Sequence, residues 1–343
     1  MLDFIYPSPL QFAESIPAWA GMGDGIKAFQ NQDYALALHE FEMLANQGDA
    51  DAQFFMGSLY QQGDGVHRDL DIALPWLEKA ARQNHHGALN ALGVIYAMDE
   101  NKNRDYVKSE QCFSVAAKKE IPEAHYNLAL LLANGLGTEK SVKRAANYFQ
   151  KAAYKGIAAA QHKMGKLCET GELSEPDLDE AVSWYQKSAE QGYAQAEMEL
   201  GLMYHHGKGV DVDNTIALHW LGLAANQGIL AAQTKMASIY NEGLGVAKDR
   251  LKAFHWYSEA AHQGDDNAQY ALGLKYSKGE GVPQDFILAY VWFNLAGSQG
   301  VDEAGVERES LLKTMTASQV EQAQELSRDY FQRYVVKPHM KSE

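Results

Sequence analysis

Two cysteines in 343 residues, Cys112 and Cys168, are too few to form a disulfide framework. Both are expected to remain thiols that pack as small apolar residues. Cations are also scarce: 30 Lys and Arg stand against 45 Asp and Glu, a net charge of −15. That balance excludes a sequence-independent binder of phosphate backbones, which needs a basic patch, so no nucleic-acid partner is expected. An anionic membrane surface would repel the same charge. No run of about 18 apolar residues occurs, so membrane insertion is not expected. The first twenty residues hold no Lys or Arg but three prolines, Pro7, Pro9 and Pro17. A secretory signal needs a positive start and an unbroken apolar stretch. The small residues around Trp19 therefore do not read as a cleavage site, and the compartment leans to the cytoplasm. A periplasmic location stays open if a signal lies upstream.

What the chain does have is a beat. Ala52, Ala88, Ala124, Ala160, Ala196, Ala232 and Ala268 are spaced by 36 residues without exception. A fixed period in this range marks a stacked repeat architecture, which overrides the two-domain expectation from length. Five residues after each alanine stands Gly57, Gly93, Ala129, Gly165, Gly201, Ala237 or Gly273. Only small residues occur there, as a close helix–helix approach requires. A tyrosine follows at +8 in five repeats, and the stripe at 0, +4, +5 and +8 predicts a helix. Paired glycines such as Gly207/Gly209 then predict its end. Asp69, Asp105, Ser141, Asp177, Asp213, Asp249 and Asp285 recur at the place of an N-cap for a second helix. On that helix Trp76, Trp184, Trp220, Trp256 and Trp292 share one frame position, which predicts core rings. Pro75 inside it predicts a local kink. Asp99 and Asn101 replace the loop glycines in one repeat.

The frame runs past both ends. Asp33, Ala37 and Phe41 fit one period before the first full repeat. "TASQ" at 316–319 reads as a capping box for a last helix whose exposed face is polar. The expected organisation is an irregular extension over 1–21, a capping hairpin over 22–51, seven repeats over 52–303, capping helices over 304–335 and a tail over 336–343.

The pattern A-x-x-x-L-G-x-x-Y-x-x-G-x-G-V…D…A-x-x-W-Y-x-x-A-A-x-Q-G resembles the Sel-one-like repeat family, a relative of the tetratricopeptide repeat. "AQYALGLKYSKGEGVPQDFILAYVWFNLAGSQG" at 268–300 carries it almost whole. The resemblance implies an all-α fold, a right-handed superhelical solenoid of α-hairpins with 36-residue repeats. It also implies a bacterial scaffold or adaptor that binds another protein or peptide, working as a monomer without a cofactor. Some cysteine-rich relatives are weak β-lactam hydrolases. Their paired cysteines are missing here, so a hydrolase remains the second reading only.

In such arrays the first helix of each repeat lines a concave groove. Positions +2, +6, +9 and +10 lie off the packing stripe and are expected to face it. The candidate partner-binding residues are Phe54, Val94, Met98, Tyr126, Leu130, His162, Lys166, Met198, Leu202, His205, His206, Tyr270 and Leu274. Their apolar content exceeds what a solvated face needs and suggests anchors for an extended or helical peptide.

Catalytic motifs do not appear. There is no H-E-x-x-H and no G-x-S-x-G. "YHHGKGV" at 204–210 resembles a phosphate loop only superficially, because Leu202 stands where the first glycine is needed and Gly209 follows the lysine. No catalytic, cofactor or metal residue is expected. His205 and His206 fall in the last turn of a first helix, where the helix end favours a protonated imidazole, so pH-sensitive partner binding is a possible role.

Overall fold

A computed structural model describes residues 3–6, 22–98 and 104–336. The described residues form eighteen α-helices, a final π-turn and no strand. A capping hairpin, α1 (Gly23–Gln30) and α2 (Tyr34–Asn46), comes first. The seven repeats follow as α3 (Ala50–Gln62) with α4 (Leu70–Arg82), α5 (His86–Ala97) with α6 (Tyr106–Ala117), and α7 (Pro122–Asn134) with α8 (Val142–Tyr154). Next come α9 (Ala158–Thr170) with α10 (Leu178–Ala189), α11 (Ala194–His206) with α12 (Asn214–Asn226), and α13 (Leu230–Glu242) with α14 (Arg250–His262). The last repeat is α15 (Asp266–Lys278) with α16 (Phe286–Ser298), closed by α17 (Asp302–Leu312), α18 (Ala317–Phe331) and the π-turn Gln332–Val336. The chain forms two compact units, Met1–Pro176 and Asp177–Glu343. Asp99 and Asn101 lie outside the described residues.

Each recurrent residue has a local task. All seven expected N-caps accept a backbone N–H from the first turn of the second helix. Six first helices end on a left-handed glycine, including Gly207 at φ 68°. A side chain there would meet the steric penalty of that conformation. The +5 glycines lie where the two helices of a hairpin touch. A Cβ on Gly93 would stand 2.5 Å from the Phe113 ring, and one on Gly273 2.4 Å from that of Phe293. The large ring on the second helix thus fills the space that the glycine leaves. The helix α4 runs on through Pro75 without a break.

Repeats are stitched to their neighbours by glutamine. Gln53, Gln161, Gln233 and Gln269, at +1, each donate to the carbonyl of Ala45, Ala153, Ala225 or Ala261 at the end of the preceding second helix, at 3.1–3.2 Å. A second glutamine at +31 donates to the +1 side chain, as Gln263 does to Gln233 at 2.7 Å and Gln299 to Gln269 at 2.8 Å. Each of these helix-end carbonyls, which already accepts the N–H of the turn glycine that follows, thereby gains a second donor inside the stack.

The tryptophan position is less uniform than its periodicity suggests. Trp184 and Trp292 are buried, but Trp76, Trp220 and Trp256 are half-buried. The rings also differ in what lies against them. Tyr330 and Tyr334 of the C-terminal cap cover Trp292, with ring centroids 5.5 and 5.8 Å away. Trp76 has the Lys79 ammonium over its face at 3.9 Å. The capping box forms in full, with Thr316 and Gln319 bonding reciprocally. Neither cysteine is in a disulfide, and burial pushes the Cys112 thiol up to about 11.

Candidate functional site: a peptide seat on the first helices

In the first unit, the first helices α3, α5 and α7 pack side by side. Two of them carry an asparagine where other repeats have no amide. At +2 the seven repeats hold Phe54, Asn90, Tyr126, His162, Met198, Thr234 and Tyr270. At +3 they hold Phe55, Ala91, Asn127, Lys163, Glu199, Lys235 and Ala271. Asn90 and Asn127 are both fully buried and joined to each other, Asn127 Nδ2 donating to Asn90 Oδ1 at 3.1 Å.

The remaining donors and acceptors of this pair hold a stretch of backbone. Ile5 N–H donates to Asn127 Oδ1 at 2.8 Å, and Asn127 Nδ2 donates to the Ile5 carbonyl at 2.8 Å. Asn90 Nδ2 reaches the same carbonyl at 3.4 Å. In an extended chain the N–H and C=O of one residue point to the same side, so a single carboxamide can pair with both. The neighbours Phe4 and Tyr6 share the opposite alternation from Ile5. Phe4 stacks on Phe113 with centroids 5.9 Å apart. The Tyr6 hydroxyl donates to Met98 Sδ at 3.4 Å. Phe4, Ile5 and Tyr6 all remain half-buried.

The residues singled out from the sequence fall into distinct settings. Met98 is half-buried and meets Tyr6. Phe54 is fully buried, its ring 4.6 Å from that of His85, and belongs to the core between the first two repeats. Val94, Tyr126 and Leu130 are likewise buried, with Tyr126 5.7 Å from Phe149. Leu130 and Lys166 line a cavity of about 360 Å³ together with Phe149 and Lys163. Lys166 also pairs with Glu169 at 3.4 Å. His162 is half-buried, and burial with the nearby Lys163 and Lys166 lowers its pKa to about 4.

In the second unit, Met198 and Leu202 pack against the core around Leu221 and Met236. Tyr270 and Leu274 line a cavity of about 420 Å³ with Asn241 and Lys275. Lys275 is buried at a position where the other repeats hold Leu, Ile or Met, and donates to Asn241 Oδ1 at 2.8 Å. His205 Nδ1 lies 3.0 Å from Asn214 Oδ1, at the start of the second helix of its own hairpin. His206 is exposed, and slight burial together with Lys235, His205 and Lys208 lowers its pKa. Burial first, and then these neighbours, act against the protonation that the helix end was expected to favour.

Asn127 was missed from sequence because +3 was not among the positions expected to face the groove. The signal was present, since Asn90 and Asn127 are the only amides in the +2 and +3 columns.

The Sel1 repeat model matches residues 50–85, 86–120, 122–157, 158–193, 194–229, 230–265 and 266–301. The chain is a Sel1 repeat protein. A Sel1 repeat protein from Oxalobacter formigenes is 30% identical, with 90% of this chain and 95% of that one covered and a TM-score of 0.64. A protective antigen of uropathogenic Escherichia coli strains, c5321, which displays an SLR fold, is 29% identical; 90% of this chain and 74% of that one are covered, with a TM-score of 0.53. No curated protein matches the sequence. Sel1 repeat proteins generally act as protein-interaction scaffolds, and their fold is typically non-catalytic. Among the described residues, no helix is long and apolar enough to cross a membrane.

Proposed function

We propose that this Sel1 repeat protein is a scaffold or adaptor that takes an extended peptide of a partner protein on the first helices of its repeats. The observation that carries the reading is the two-way bond between Asn127 and the backbone of Ile5. A buried carboxamide pair that pairs with main chain supplies affinity without regard to side-chain identity, as strand-adding peptide sites do. Two columns of otherwise apolar, charged or hydroxyl side chains contain amides only here, so the pair is not a requirement of the repeat.

Asn127→Leu tests this. The substitution keeps the branched shape of the side chain and removes its bonds to Ile5 and to Asn90. Partners captured from the parent cell by the wild-type chain are expected to be lost, with the helical signal and melting behaviour retained. Capture of the same partners by the variant would remove the first-unit face as the binding site.

A further inference from the structure

We infer that the ligand class of this site is an extended peptide with aromatic side chains two residues apart, and that residues 3–6 of the chain occupy it as a displaceable internal copy. The inference rests on the peptide-scaffold reading and adds both the ligand pattern and its regulation.

Three observations converge. Apart from their bond to each other, the Asn127 and Asn90 amides bond to the Ile5 main chain and to no side chain of the segment, so they fix an extended backbone and its register but select no sequence. Selection falls to the two flanking rings. Phe4 lies on the Phe113 ring, and the Tyr6 hydroxyl meets the Met98 sulfur. Because Phe4 and Tyr6 are separated by one residue, both project on one side of the extended chain while Ile5 projects on the other. The site therefore reads an aromatic–any–aromatic pattern with its backbone clamped between.

The third observation separates a competitor from a fixed structural element. A segment that belonged to the core would be buried like Phe41, Phe54 or Phe113, which show no exposure. Phe4, Ile5 and Tyr6 are only half-buried, while the asparagines beneath them are fully buried. The amides of the floor lose their main-chain partner whenever the segment leaves, and another extended backbone restores the same bonds. Such a floor favours some occupant at all times without favouring this one. A partner segment with the same pattern can replace residues 3–6 bond for bond, in competition with a segment of the same chain.

The test uses the full chain and a fluorescein-labelled, acetylated peptide of the chain's own residues 2–8, LDFIYPS. A Phe4→Ser, Tyr6→Ser variant vacates the site. It is expected to bind the peptide about tenfold tighter than the wild type, the gain expected when a competent state goes from about one-tenth to fully populated. Adding Asn127→Leu is expected to abolish binding, as is N-methylation of the isoleucine in the peptide, which removes the donor to Asn127. Equal affinity of wild type and vacated variant would overturn the internal occupancy and leave the peptide-scaffold reading standing. Absence of binding to the vacated variant, with its fold intact by circular dichroism, would overturn both. A wild-type dimer in sedimentation that disappears in the vacated variant would assign the segment to a second copy and overturn occupancy within one chain.

Discussion

The repeats at 86–157 and those at 194–301 share a period and a hairpin but use their polar side chains differently. In the later group, +1 holds Glu197, Gln233 and Gln269, and +31 holds Gln227, Gln263 and Gln299. These side chains turn into the stack: Gln227 donates to Glu197 at 2.8 Å and to the Gly192 carbonyl at 3.2 Å. In the earlier group the same places hold Leu89 with Lys119 and His125 with Lys155. Stitching there falls to other contacts, including His125 Nε2 and Glu120 Oε2 at 3.4 Å, with Glu120 in the left-handed region at φ 60° where most repeats have glycine. The amides of that group lie one and two positions further on, at Asn90 and Asn127, and bond to a peptide backbone instead of a helix end. The same functional group thus holds the stack together in one region and holds the chain's own N-terminal segment in the other.

The comparison can be broken at several strengths. The largest effect is expected at the C-terminal end, where Trp292→Ala should cost about 3–5 kcal/mol. The half-buried Trp220→Ala should cost clearly less. Chemical denaturation of the two variants measures both, and equal losses would show that burial by the cap is not what distinguishes the rings. Next, Gln233→Leu removes one of two bonds from the Ala225 carbonyl and one of two from the Gln263 amide, and should cost about 1–2 kcal/mol. Asn127→Leu should cost about 1 kcal/mol: it abandons the half-exposed Ile5 backbone, which water can reach, and the buried Asn90 Oδ1. A thermal-melting comparison in which Asn127→Leu is the more damaging of the two would reverse the division of labour.

A larger effect, dependent on pH, is expected from His162. The folded chain holds this imidazole at about 4, against an ordinary value of 6.5, chiefly through burial. The unfolded chain therefore takes up the proton first as the pH falls. The stability contributed by the neutral side chain is intact above pH 6.5 and is drawn down between 6.5 and 4, by about 3 kcal/mol in all. His162→Gln should flatten that part of the stability profile, and an unchanged acid slope would count against it. The smallest effect is Lys79→Gln, which removes the cation from the Trp76 face. Its expected cost is about 0.5–1 kcal/mol, read from denaturation midpoints.

Much of the fold was legible because repetition turns one sequence into seven aligned copies. The N-cap aspartates, the +5 glycines and the loop glycines each recur in register, so one physical reason explains a column. The same averaging concealed the site. Phe54, Val94, Tyr126 and Leu130 lie off the principal stripe and were expected at an open groove, yet the next repeat and the partner helix bury them. A first helix in the middle of a stack has neighbours on three sides, so its apolar surface is wider than a two-faced helix requires. What marks the seat is a departure from the columns, two asparagines among residues that are not amides. The N-terminal segment that lies on them belongs to no repeat, and no periodicity reports it.

The division of labour comes to its sharpest point at one backbone hydrogen, the Ile5 amide. Hydrogen exchange followed residue by residue reads it directly. If the Asn127 carboxamide holds the segment, the Ile5 amide exchanges about tenfold slower than the same residue in the free LDFIYPS peptide, and Asn127→Leu returns it to the peptide rate. An Ile5 amide that already exchanges at the peptide rate in the wild-type chain would contradict the account.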